Sequence, residues 1–163
     1  MLAKNTDKRL VELCSWFKDQ DKTLSIAESC TGGLLSSLVT RLPGVSQFFR
    51  GSVVSYHADL KVQLLDVPLS TLKVMGEVNT QVALLMARGA RKKMKSDWAV
   101  AITGVAGPSG GTVEKPVGFV CFAIVGPGFE EVKEKRFDPK DREKIQLESA
   151  EFAIDFLWDS VHE

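Results

Sequence analysis

Residues 98–103, Trp-Ala-Val-Ala-Ile-Thr, contain no charged side chain. A strand this apolar belongs at the centre of a sheet, buried on both faces, and such a sheet needs helices above and below it. The rest of the chain supplies them. Leu10, Leu13, Cys14 and Phe17 recur at helical spacing and predict an amphipathic helix over about Asp7–Asp19. A short strand, Leu24–Glu28, follows. The next helix is expected to begin within Cys30-Thr31-Gly32-Gly33 and to run through Leu34, Leu35, Leu38 and Val39 until Pro43-Gly44 stops it. Gly51–Tyr56 is β-branched and reads as a strand, Ala58–Leu65 as a helix, and Asn79-Thr80 as the cap of a longer helix reaching about Met94. Beyond the central strand, Val117–Val125 and Glu130–Phe137 flank Gly126-Pro127-Gly128 as a hairpin. Asp138 as cap and Pro139 as first residue open the last helix. Helices alternating with strands, then a hairpin, make an α/β fold: a mixed sheet covered on both faces.

At 163 residues the chain is the size of one domain, expected to span 1–163. Twenty-one basic residues balance twenty-one acidic ones, so nothing points to a nucleic-acid partner or an anionic membrane. The densest basic run, Arg88–Lys95, lies on an amphipathic helix and reads as its solvated face. Charges interrupt every apolar stretch near the start, leaving neither a signal segment nor a membrane span, so a cytoplasmic location is expected. Cys14, Cys30 and Cys121 are far apart, with no Cys-x-x-Cys pair, and histidines number two, His57 and His162. That pattern suits neither a disulfide framework nor a metal centre, and no cofactor is indicated.

Chemistry is concentrated in two loops. In "SIAESCTGG", residues 25–33, a serine follows a strand end and precedes a glycine-rich helix start. Ligands collect beyond the carboxyl ends of strands in open α/β sheets. There the amides of Cys30, Thr31, Gly32 and Gly33 would suit a phosphate or an oxyanion, and Ser29 would have a nucleophile's exposure. From this stretch alone, helix capping or plain phosphate binding is a better reading than catalysis. The stretch matches neither the Walker A nor the Gly-x-Ser-x-Gly pattern. Ser70-Thr71-Leu72-Lys73 fits Ser-x-x-Lys without its companion motifs and reads as the start of a short surface helix. The second loop, "GVAGPSGGTVEKP" over residues 104–116, is long enough to suggest a function.

A serine nucleophile needs a base. His57 reads equally as a partly exposed loop histidine. Lys61, by spacing alone, is a solvent-facing helix residue; buried with a cation nearby, it could lose its proton near neutral pH and serve as a base. Tyr56 ends the preceding strand beside it. Arg142, in the first turn of the last helix, is unfavourably placed for the helix dipole, which suits a residue that holds an anion; as a surface charge it would pair with Asp138 or Glu143.

"AESCTGG", "GSVVSYHADLK", "VAITGVAGPSGGTVEKPVGFV" and "DPKDRE" occur together in the order and spacing of the CinA C-terminal-domain family, which this chain resembles over nearly its whole length. The resemblance implies a three-layer α/β/α sandwich, a homodimer, and hydrolysis of the carboxamide of nicotinamide mononucleotide to nicotinate mononucleotide and ammonia. It gives Ser29 the nucleophile's role, Tyr56 and Lys61 the handling of protons, and Thr103 and Arg142 places in the active site. Substrate binding is expected from Cys30, Thr31, Gly32 and Gly33 and from Gly104, Gly107, Gly110 and Gly111, with no metal. The chain departs from the family's usual pattern at His57, and at residues 76–79, where "GEVN" replaces "GAVS". Long members carry a further N-terminal domain associated with ADP-ribose pyrophosphatase activity, which is not expected here.

Two rival readings remain at the level of sequence: a catalytically silent pyridine-nucleotide-binding module, and an amidase for another small molecule. With two histidines and scattered cysteines, amide hydrolysis is expected to survive dialysis against a chelator. Added zinc or magnesium should raise ammonia release by no more than about twofold.

Overall fold

The computed structural model describes residues 1–138 and 141–163. In chain order the elements are α1 (Lys4–Asp19), β1 (Leu24–Glu28), α2 (Leu34–Thr40), β2 (Phe49–Val54), α3 (Ala58–Leu65), α4 (Leu69–Met75), α5 (Thr80–Met94), β3 (Trp98–Gly104), β4 (Phe119–Gly126), β5 (Phe129–Arg136) and α6 (Arg142–His162). The strands form one open mixed sheet in the order β2-β1-β3-β4-β5. β1 is parallel to β2 and β3, and β3, β4 and β5 pair antiparallel. As expected, β3 is central, and every residue from Trp98 to Thr103 is buried.

The period of two along each strand divides the core into two layers. Leu24, Ile26, Val100, Ile102, Val120, Phe122 and Ile124 face α1, α2 and α6. Ala27, Ala99, Ala101, Cys121 and Ala123 face the other side, against the small residues Ala83, Ala87 and Ala90 of α5. The alanines let α5 lie close to the sheet. The result is a three-layer α/β/α sandwich. No helix among the described residues is long and apolar enough to cross a membrane.

Several boundaries differ from the sequence reading. α1 starts at Lys4, one turn early. β2 runs from Phe49 to Val54, leaving Tyr56 beyond the strand; its pairing ends at Glu28↔Val54, and only the Ser55 amide reaches one step further, to the Glu28 carbonyl at 2.8 Å. β4 begins at Phe119, after Gly118 with its left-handed φ of 93°. α6 is capped by Asp141, whose side chain accepts from the Lys144 amide at 2.9 Å, not by Asp138. Pro139 lies outside the described residues.

The largest difference is at α2. Gly32 and Gly33 have left-handed φ values of 60° and 100°, so Cys30–Gly33 forms a turn and the helix begins at Leu34. What fills the helix N-terminus is internal. The fully buried Glu28 carboxylate accepts five hydrogen bonds: at Oε2 from Thr31 Oγ1 (2.6 Å), Gly33 N (3.1 Å) and Leu35 N (3.1 Å), and at Oε1 from Ser36 N (2.9 Å) and Ser36 Oγ (2.6 Å). Amides that helix geometry leaves unpaired are thereby satisfied by an anion at the positive end of the dipole.

Both oxygens of Glu28 face only donors, so the amide NH₂ of Glu28→Gln would meet donors in either orientation. The substitution is expected to cost about 3–5 kcal/mol and to lower the unfolding midpoint by about 10 °C, followed by circular dichroism. Ser36→Ala, which removes one hydroxyl donor to the carboxylate, should cost less, about 1.5–3 kcal/mol.

Candidate active site

β1, β2 and β3 end side by side, and the residues that follow them meet at one edge of the sheet. Ser29 N donates to Ile102 O at 3.0 Å, which extends the β1–β3 pairing one residue past the strand. The alternation of β1 therefore continues through the turn. Glu28 follows Ile26 toward α2, Ser29 follows Ala27 toward the layer of α3 and α5, and Cys30 returns to the core of α1, α2 and α6.

On the Ser29 side stands Lys61. Lys61 and Leu65, four residues apart, form the buried face of α3, whose start is fixed by His57 as N-cap. Lys61 is thus fully buried and not the solvent-facing residue that spacing suggests. Its Nζ lies 3.0 Å from Ser29 Oγ, 2.9 Å from Ser55 O and 3.2 Å from Glu77 Oε1. His57 points elsewhere: its side chain is 75% exposed and sits 3.5 Å from the Asp59 carboxylate.

In front of Ser29 opens a cavity of about 250 Å³, lined by Ser29, Cys30, Tyr56, Glu77, Thr103, Arg142 and the 104–110 stretch of the long loop. Arg142 joins its walls. Nη1 donates to Gly107 O at 2.6 Å, and Nη2 donates to the hydroxyl of Tyr56. Tyr56, 53% exposed, is therefore tied to Arg142. One turn along α6, Gln146 Nε2 donates to Cys30 O at 2.9 Å and fixes the serine turn to the same helix. Thr103, buried at the end of β3, donates from Oγ1 to Glu77 O at 2.9 Å.

The anticipated binding residues separate into two groups. Cys30, Gly104, Gly107 and Gly110 line the cavity; Thr31, Gly32, Gly33 and Gly111 do not. Thr31 and Gly33 serve Glu28, and Gly32 N closes the turn on Ser29 O at 3.0 Å. A Cβ at Gly111 would stand 2.8 Å from Val117 N, which gives that glycine a packing reason. The α2 start is thus not an open anion site. The Thr31 amide is left without a protein acceptor among the described residues, and the Cys30 amide turns back on its own thiol. Burial, the largest cause, pushes the Cys30 thiol up to about 12, so beside Ser29 it is an inert neutral group.

Glu28, Ser55, Glu77 and Gln146 escaped the sequence reading. Glu28 carries a signal, an acidic residue closing an otherwise uncharged strand; Gln146 shares the face of Arg142 at i+4. Ser55 contributes only its carbonyl, and Glu77 is sixteen residues from Lys61, so neither leaves a local pattern.

Comparison with known proteins agrees with this architecture. A CinA-like protein of Prochlorococcus marinus subsp. pastoris is 48% identical over 127 residues, covering 78% of this chain and 29% of that protein. One from Geotalea uraniireducens is 47% identical over 145 residues, 89% of this chain and 34% of its own length. The chain thus spans about a third of the length of these relatives. Among solved structures, the competence/damage inducible protein CihA from Agrobacterium tumefaciens superposes with a TM-score of 0.95 at 33% identity, over 99% of this chain and 98% of that one. ComA from Klebsiella pneumoniae gives 0.92 at 28% identity, over 97% and 98%. The CinA C-terminal domain pattern matches residues 6–161, and the chain belongs to that family.

Proposed function

We propose that the chain is an amidohydrolase that converts nicotinamide mononucleotide and water to nicotinate mononucleotide and ammonia, acting in the cytoplasm as a homodimer in pyridine-nucleotide recycling. The observation that carries the chemistry is the 3.0 Å contact between Ser29 Oγ and the buried Lys61 Nζ. A lysine held away from water beside a hydroxyl is a suitable base for it. The resemblance of the loops supplies the substrate.

With Lys61 as the neutral amine, two N–H groups can serve Ser55 O and Glu77 while the lone pair accepts the Ser29 proton. Ser29 Oγ then bonds to the carboxamide carbon, and the carbonyl π pair moves onto oxygen. The amide of Thr31, with that of Cys30 beside it, is the donor available to that oxyanion. Lys61 returns the proton to the amide nitrogen, the C–N bond breaks, and ammonia leaves an acyl ester on Ser29. Water attacks the ester as Lys61 takes its proton; the acid departs and Ser29 regains its hydrogen. Arg142, tied to Tyr56, supplies the positive charge that a phosphate-bearing substrate needs.

Incubation with nicotinamide mononucleotide and measurement of ammonia tests this reading. Binding without ammonia would favour a silent binding module, and release only from other amides would move the substrate. In an active protein, Ser29→Ala should lower turnover by ~10³-fold or more with the fold intact, and Cys30→Ser should do far less harm. Lys61→Ala and Lys61→Arg should fail almost equally, because a guanidinium keeps its proton, whereas His57→Ala should retain a substantial fraction. A well-folded Lys61→Arg with near wild-type turnover would exclude the base role.

A further inference from the structure

Resting on that reading, we propose that Glu77 is the third member of the site: a positioning residue whose carboxylate holds Lys61 and stabilises its ammonium form when Lys61 receives the proton of Ser29. Of Lys61's three polar contacts, Ser29 is the reacting partner and Ser55 offers a neutral carbonyl. Glu77 Oε1, at 3.2 Å, is the one anionic contact to Nζ among the described residues. Ser29, Lys61 and Glu77 are joined by successive contacts, an arrangement in which a third group orients the base that serves a nucleophile.

The segment carrying Glu77 is pinned on three sides. Thr103 Oγ1 holds the Glu77 carbonyl at 2.9 Å. Asn79, which caps α5 by accepting from Val82 N at 2.8 Å, reaches back through Nδ2 to Met75 O at 3.2 Å and Gly76 O at 3.1 Å. Lys115 Nζ holds Met75 O from the long loop at 3.0 Å. Glu77 is thus fixed at its backbone while its side chain remains 45% exposed at the cavity wall. Thr103 acts through Glu77, which gives a buried threonine at the end of the central strand a place in the chemistry.

The other charged groups around Lys61 are committed elsewhere. From β1, Glu28 is enclosed by the start of α2, and the neutral thiol of Cys30 lies in the opposite core. From α6, Arg142 is held by Gly107 and Tyr56. On α3 itself, His57 and Asp59 face each other in solvent, and at its far end Asp66 pairs with Lys92 and Lys93 of α5. Lys115, the nearby cation of the long loop, is bound to Met75. Glu77 is left as the group that favours a proton on Lys61.

The test uses the full chain with Glu77→Gln, Glu77→Ala and Glu77→Asp. The pH profile of kcat/KM is measured by ammonia release, and Lys61 itself is titrated by NMR with ¹³Cε-labelled lysine, its signal assigned by its loss in Lys61→Arg. In Glu77→Gln the acid limb of the profile and the Lys61 titration should both move to lower pH, because the neutral amine no longer competes with an ion pair. The plateau should fall about tenfold, as the proton received from Ser29 loses its counter-ion. Glu77→Asp should keep the limb near wild type, and Glu77→Ala should behave like Glu77→Gln. A limb and titration that stay in place in Glu77→Gln, or a plateau equal to wild type, would overturn the inference. If the wild-type chain releases no ammonia, the substrate reading fails, and the Lys61 titration alone decides whether Glu77 sets that proton.

Discussion

The Glu28 carboxylate at the start of α2 is the interaction on which the rest of the site depends. Burying an anion costs several kcal/mol of lost hydration, and only a full set of donors offsets it. Five hydrogen bonds to a charged acceptor, each contributing about 1.5–3 kcal/mol, are such a set. They can be assembled only if the chain turns sharply after β1, which the positive φ angles of Gly32 and Gly33 permit. The glycines thus serve the internal carboxylate first, and Ser29 is carried on the outside of the turn it creates.

This arrangement decides where positive charge can come from. A helix N-terminus beside a serine invites an anionic ligand, but here the protein supplies its own anion, so the cavity's cation is Arg142 from α6. Lys61 is paired with Glu77, leaving the guanidinium as the unbalanced charge lining the cavity among the described residues. The cavity thus combines the Ser29–Lys61–Glu77 contacts with one guanidinium that has no anionic partner among the described residues.

Much of the framework was legible because its elements obey local rules. The uncharged run of β3, the bounds of β1 and α3, and the Asn79 cap of α5 stand where composition and spacing put them. The failures have local causes as well. Asp138 and Asp141 are both acceptable caps three residues apart, and sequence cannot choose between them. The start of α2 was misjudged because two glycines next to a helix signal can enter the helix or break its approach, and the choice rests with Glu28, buried after folding. Within the site, Ser29, Tyr56, Lys61, Thr103 and Arg142 could be named from motifs; four of them line one cavity and Lys61 reaches Ser29, whereas the pairing of Lys61 with Glu77 joins a strand-following helix to a distant loop. The departure at residues 76–79 marked that loop, yet only the fold gives it a neighbour.

Why serine and not the adjacent cysteine faces Lys61 follows from the sheet. Side chains of β1 alternate between the two layers, and the turn preserves that alternation for two more residues. Ala27 and Ser29 belong to the layer of α3, where Lys61 waits; Ile26, Glu28 and Cys30 belong to the layer of α2. A slip of one residue in the β1 register would exchange them, turning a thiol toward Lys61 and Glu28 out of its nest of amides. The two errors come together, and the second is the costly one, since an uncompensated buried carboxylate loses more than a misplaced hydroxyl gains. The charge that closes the helix start therefore also decides which side chain meets Lys61: the residue after Glu28 must face the lysine, and in this chain it is Ser29.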